Sequence, residues 1–263
     1  MSDMERYLVI GDLHGEFSRF QTLWRKVSFR AGQDCALFLG DYLDRGSGNV
    51  QVMDWVLGHF GRDDMVFLRG NHDQMLLDAC RAESTAQEGD DWFDSPKALW
   101  LENGGSETDH QLYASGRREE LLTAWLEAVR KMPLCWQETL RGKRYIFAHA
   151  SVSRDPAVPL TAMAPEDFLW SRDLAFHREE YQREEIAVIG HTPLPALGLP
   201  ARPQAFSGGR VLMIDTGSYL PGGCISCLDL LSGEVWQSDG TTGTGGACGR
   251  LRRGLCGFFT KRH

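Results

Sequence analysis

No run in this 263-residue chain approaches the roughly 18 consecutive apolar residues of a membrane-spanning helix, so a bilayer-embedded protein is not expected. Positive charge is in short supply: 28 Lys and Arg face 36 Asp and Glu, a formal net charge of −8, which argues against a protein built to grip nucleic acid. Met1 to Arg6 is polar and lacks the basic, apolar and cleavage segments of a secretory signal. The seven cysteines, an odd number scattered along the chain, suit a reducing compartment better than a disulfide framework. Together these point to a cytoplasmic protein. Cys224 and Cys227 form one C-x-x-C, but no second Cys or His pair stands at zinc-ligand spacing, so both read as buried thiols.

What is present is an ordinary globular balance, 42% hydrophobic and 24% charged, in a chain long enough for one large α/β domain. Six short apolar runs each end in a polar cluster: YLVIGDLHG, ALFLGDYLDRG, MVFLRGNHD, RYIFAHA, IAVIGHT and VLMIDTG. They read as buried strands whose C-terminal ends carry the chemistry. Between the first three, Phe17, Phe20, Leu23, Trp24 and Val27 share one helical face and Val52, Trp55, Val56 and Phe60 another, the alternation of strand–helix–strand units. Residues 82–133 interrupt this rhythm with an acidic stretch, WLENGG and an amphipathic helix carrying Leu121, Leu122, Trp125, Leu126 and Val129; they read as a helical insertion within one domain over 1–239. Residues 173–185 read as a solvated helix or loop, and 193–203 as a proline-punctuated connection. The remainder, 240–263, is a basic tail expected to be mobile.

Ligands of an α/β sheet bind outside the carboxyl ends of its strands. There stand Asp12, His14, Asp41, Asn71, His72, His149 and His191, potential metal ligands or proton carriers. Taken singly, Asp12 or Asp41 could as well cap a helix, and His149 or His191 could be structural. Glycine precedes the polar residue in GD, GD, GN and GH, letting the backbone turn sharply where a side chain would obstruct it, and the recurrence favours a shared metal site. Carboxylate, imidazole and amide oxygen without thiolate suit Mn, Fe or Zn, with the carboxylates favouring the harder ions. The set is large enough for two ions about 3.5–4 Å apart, bridged by one carboxylate and one water. Arg45 and Arg69 flank these ligands, and guanidinium forks match phosphate oxygens. His59, His110, His177 and His263 fall outside the pattern and read as surface residues.

GDLHG, GDYLDRG, GNHD, His149 and GHT resemble the phosphoprotein phosphatase family of metallophosphoesterases, especially the lambda-phage type of serine/threonine phosphatase, over about residues 7 to 218. LENGG, FLWSRD and MIDTG extend the resemblance. It implies a four-layer α/β/β/α sandwich, with Asp12, His14 and Asp41 on a first metal and Asp41, Asn71, His149 and His191 on a second. It further implies in-line attack by a metal-bridging hydroxide. His72 would protonate the departing alkoxide, Asp44 would orient His72, and Arg45, Arg69 and Arg172 would bind phosphoryl oxygens. The implied substrate is a phosphorylated protein or peptide. GNHD in place of GNHE is shared with relatives that cleave diadenosine tetraphosphate, which makes a dinucleoside polyphosphate hydrolase the alternative. Those relatives typically lack the acid at the Asp44 position. A catalytically idle regulatory module would have lost a ligand or the proton donor, yet every position is filled.

Overall fold

Alternation along the strands sets the layering. The structure, a computed structural model, describes residues 4–85, 95–239 and 249–250, with side chains for 4–82 and 95–239. In β1 (Arg6–Ile10), Tyr7 and Val9 point to one side and Leu8 and Ile10 to the other; in β2 (Asp34–Phe38), Cys35 and Leu37 oppose Ala36 and Phe38. β5 (Lys143–Ala148) and β6 (Ile186–Ile189) behave likewise, with Tyr145, Phe147, Ile186 and Val188 opposed to Ile146, Ala148, Ala187 and Ile189. Strands apolar on both sides must be covered on both faces.

Two mixed sheets meet that demand. The first runs β11-β10-β9-β1-β2-β3, with β3 at Met65–Phe67, β9 at Ser226–Asp229, β10 at Glu234–Gln237 and β11 at Gly249–Arg250. The second runs β4-β5-β6-β8-β7, with β4 at Cys135–Leu140, β7 at Gln204–Phe206 and β8 at Val211–Met213. Their facing sides share one core. The outer side of the first sheet is covered by α1 (Phe17–Val27), α2 (Asn49–His59), α3 (Asn71–Thr85), α5 (Ser106–Ala114) and α6 (Arg118–Lys131). The outer side of the second is covered by the short α7 (Pro165–Leu169) and α8 (Asp173–Phe176). This is the α/β/β/α sandwich that the resemblance implies.

All six apolar runs are strands, and parallel pairing of β1, β2, β3 and of β5, β6, β8 brings their C-terminal ends to one edge of the sandwich. The faces read for α1 and α2 are the buried ones, with Phe20, Leu23 and Val27, then Val52 and Val56, inside. In the insertion, α4 (Pro96–Trp100) is capped by the Ser95 side chain, which accepts the Ala98 N–H, and leads through the wide turn Leu101–Gly105 into α5. Cys224 and Cys227 are buried free thiols. Of the expected tail, residues 249 and 250 pair with β10, and the rest lies outside the described residues. Among the described residues no helix is long and apolar enough to cross a membrane.

Candidate active site

The loops after the parallel strands converge, and their backbone is bent to do so. His14, Asp41, Asp44, Arg45 and His191 all adopt positive φ, from 44° at His14 to 76° at Asp44. Non-glycine residues in this region carry strain that the surroundings must offset. As expected, a side chain would obstruct the chain at each of the four glycines in GD, GD, GN and GH: a Cβ at Gly11 would meet Ile214 O, and one at Gly40 the Gly70 backbone. Only Gly40, φ +102°, uses the left-handed region; a Cβ at Gly70 would collide with Asp41, and one at Gly190 with the Asp12 carboxylate. Close approach, more than a turn, keeps those two positions small. Neither aspartate caps a helix: α1 begins after Glu16 and α2 after Gly48.

Asp12, His14, Asp41, Asn71, His72, His149 and His191 are brought together and are all buried. Asp41 belongs to both groups that could hold a metal ion, one with His14 and His72, the other with His149 and His191. Its Oδ2 lies 3.6 Å from His14 Nε2 and its Oδ1 3.4 Å from His149 Nε2. Backbone carbonyls fix the rings: His14 Nδ1 meets Leu43 O at 3.1 Å and His149 Nδ1 meets Leu39 O at 2.9 Å, leaving each Nε2 turned inward. His149 Nε2 and His191 Nδ1 are each 2.9 Å from Asn71 Oδ1 and 3.2 Å from one another. Asp12 takes only long hydrogen bonds from the His191 N–H, at 3.2 and 3.3 Å.

This cage is short of positive charge. Burial and the Asp215 carboxylate push Asp12 up; burial and Asp41 push Asp73 up to about 8; burial pushes Asp215 up to about 6. Burial resists ionisation of Asp41 as well, but the surrounding imidazoles, His149 first, hold it well below the usual carboxylate range. Burial pushes His14 down, and burial with the His149 charge pushes His191 down to about 3, so both keep a lone pair for a ligand. At His149 burial is outweighed by Asp41, which raises it to about 9. Converging oxygen and imidazole atoms, buried carboxylates and buried polar atoms without a partner at His191 Nε2, Asp73 Oδ1 and Asp215 Oδ2 fit divalent cations.

Beside the cage, His72 Nδ1 donates to Asp44 Oδ2 at 2.7 Å, with both groups buried. Arg45 spans the two nearby rings, at 2.7 Å from His14 Nε2 and 2.9 Å from His72 Nε2, with its guanidinium 4.1 Å above the Tyr219 ring. Arg172 borders the site, donating to Thr192 Oγ1 at 3.0 Å and His191 O at 3.4 Å. The expected phosphate-binding role does not suit Arg69. Its guanidinium donates to Val129 O, Arg130 O and Met132 O at the end of α6 and to Gln74 Oε1, so its fork is committed to a helix terminus.

Sequence reasoning missed four contributors. Trp100 and Thr108, in the insertion, reach Asp44; Tyr219 stacks on Arg45; Asp73, 0% exposed, accepts the Asp41 and Gly70 N–H groups and braces the Asp41 loop. WLENGG and GNHD hinted at Trp100 and Asp73, but nothing marked Thr108 or Tyr219. Of the histidines set aside, His110 and His177 are exposed, whereas His59 is half-buried and stacked on Trp55 at 4.2 Å; His263 lies outside the described residues.

A metal-capable cage at the C-terminal edge of two sheets, with an imidazole–carboxylate pair and two arginines beside it, is the arrangement of a phosphoester-cleaving enzyme. The calcineurin-like phosphoesterase family matches residues 5–218, and the chain belongs to that family. It is 28% identical over 215 residues, 81% of this chain and 87% of the relative, to serine/threonine-protein phosphatase 1 of Salmonella typhimurium. It is 41% identical over only 68 residues, 26% of this chain and 24% of the relative, to the symmetrical bis(5'-nucleosyl)-tetraphosphatase of Chromobacterium violaceum. The solved structure of a candidate diadenosine tetraphosphatase has the same fold, with TM-score 0.59 at 18% identity over 90% of this chain and 95% of that one.

Proposed function

We propose that this protein is a cytoplasmic serine/threonine protein phosphatase acting on phosphorylated proteins or peptides with two Mn ions. Asp12, His14 and Asp41 would hold one ion and Asp41, Asn71, His149 and His191 the other. When bound, such ions acidify a water and neutralise phosphate charge. Water adds to phosphorus opposite the leaving oxygen, the P–O bond to the serine or threonine breaks, and His72 Nε2 delivers a proton to that oxygen. Asp44 stabilises the charged imidazole through Nδ1. Arg45 and Arg172 grip the phosphoryl oxygens; Arg69 fixes the end of β3, from which Asn71 and His72 follow. Residues 1–239 would form one catalytic domain, with 82–133 inserted beside the site and 240–263 as a basic tail.

The observation that carries this reading is the His72–Asp44 pair at 2.7 Å. A serine alkoxide is a poor leaving group that needs a proton, whereas a nucleoside polyphosphate departs as a stable anion. Broad similarity to the Salmonella typhimurium serine/threonine phosphatase supports the same choice. The second reading, a dinucleoside polyphosphate hydrolase, draws on Asp73 in GNHD. Asp73 is wholly buried against the Asp41 and Gly70 backbone, which gives it a bracing task away from any substrate surface. The test is phosphate release by Mn-loaded protein from a phosphoserine peptide and from diadenosine tetraphosphate in parallel. Preference for the peptide is expected; preference for the dinucleotide moves the protein to the second reading, and silence on both sinks the enzymatic proposal.

A further inference from the structure

Asp44 is gripped from the side away from His72 by residues of the insertion. Thr108 Oγ1 donates to Asp44 Oδ1 at 2.7 Å, and Trp100 Nε1 donates to Oδ1 at 3.1 Å and to Oδ2 at 3.2 Å. Thr108 Oγ1 also accepts the Asp44 backbone N–H at 3.1 Å. Asp44 and Thr108 are 0% exposed and Trp100 is 1% exposed, so no solvent substitutes for these donors. The indole has one seat, since a Cβ at Gly105 would collide with its ring. Asp44 itself sits at φ 76°, a conformation that external contacts must hold.

We infer that Trp100 and Thr108 are positioning residues for the proton donor: by fixing the Asp44 carboxylate they aim His72 Nε2 at the leaving oxygen. The inference rests on the acid role proposed for His72. A buried carboxylate with one donor removed rotates toward any remaining partner, because an unpaired acceptor in a dry site is costly. With Thr108 and Trp100 in place, Oδ1 is satisfied from the insertion, and Oδ2, which shares the Trp100 N–H, is held facing His72. The insertion therefore does more than border the site. It supplies the outer half of the acid relay, so the Asp44–His72 pair is complete only when α4 and α5 are docked.

Three variants test this: Thr108→Val removes the hydroxyl at nearly constant volume, Thr108→Ser keeps it, and Trp100→Phe removes the N–H while keeping an aromatic ring. Each Mn-loaded protein is assayed on a phosphoserine peptide, whose leaving group needs a proton, and on p-nitrophenyl phosphate, whose leaving group does not. Thr108→Val and Trp100→Phe should each lower kcat on the peptide about tenfold, the equivalent of one charge-assisted hydrogen bond. KM, metal content and the aryl rate should stay near wild type, and Thr108→Ser should restore the peptide rate. In metal-free protein the downfield His72 Nδ1–H proton resonance should move in Thr108→Val and return in Thr108→Ser. Equal losses on both substrates, no loss on either, or an unmoved proton resonance overturns the inference. If wild-type protein cleaves neither ester, the acid role itself fails, and the proton resonance still decides whether the two residues hold the pair.

Discussion

Replacing Arg69 with alanine should cost stability and leave phosphate affinity almost untouched, the opposite of what its place beside GNHD suggests. The guanidinium donates at 3.0 Å to Val129 O, 2.9 Å to Gln74 Oε1, 3.1 Å to Arg130 O and 3.3 Å to Met132 O. Three of these acceptors close α6, where a cation also complements the helix dipole. Hydrogen bonds to a charged group are worth about 1.5–3 kcal/mol each when buried. Arg69 is only half-buried and two of its bonds are long, so the truncation should cost about 3 kcal/mol in all. In a domain this large, that lowers Tm by about 6–12 °C. The assay pairs thermal unfolding with the inhibition constant of inorganic phosphate. Arg69→Ala should shift Tm and change the inhibition constant less than about threefold, whereas Arg45→Ala should weaken phosphate binding about tenfold or more with little change in Tm. An unchanged Tm with a tenfold weaker phosphate constant for Arg69→Ala would refute this reasoning and return Arg69 to the phosphate site.

Gly70→Ala drives a methyl into Asp41 and should abolish high-affinity Mn binding, read by isothermal titration, while circular dichroism still reports a folded chain. His72→Asn should reduce turnover of phosphoserine peptide by about 10²–10⁴-fold with both ions retained, and reduce aryl phosphate turnover far less. The Asp34 carboxyl is pushed up by burial but held at about 2 by the Arg6 and Arg30 guanidiniums. Its folded pKa lies below the unfolded value of about 3.9, so its contribution is present above that value and lost as pH falls toward 2. Discounted for the exposure of Arg30, it amounts to about 1–2 kcal/mol. Asp34→Asn should destabilise the protein at pH 7 and flatten the acid limb of its stability profile, measured by urea unfolding across pH.

Much of the fold was legible because the parallel strands are buried on both faces and therefore spell continuous apolar runs. The antiparallel strands β4 and β7 were not. β4, CWQETL, alternates half-buried and exposed residues, and β7 is only three residues long and half-buried, so neither gives a run that stands out from a loop. The cage residues were legible for a related reason: each follows a strand end, and adjacent parallel strands bring those ends together. What sequence could not supply was which arginine faces inward. Arg45 and Arg69 look alike on paper, one after a strand in DRG and one before GNHD, and only the placement of the α6 C-terminus beside the loop after β3 decides that Arg69 turns outward to cap a helix. Thr108 and Trp100 were invisible as contributors because their link to Asp44 spans 64 and 56 residues and depends on how the insertion docks.

The proposed sharing of Asp41 between two ions is tested most directly by a metal titration followed by native mass spectrometry. The wild-type chain should take up two Mn ions, Asp12→Asn should keep one tightly, and Asp41→Asn should weaken both together. A single ion in the wild type, or an Asp41→Asn protein that still holds two with undiminished affinity, would contradict it.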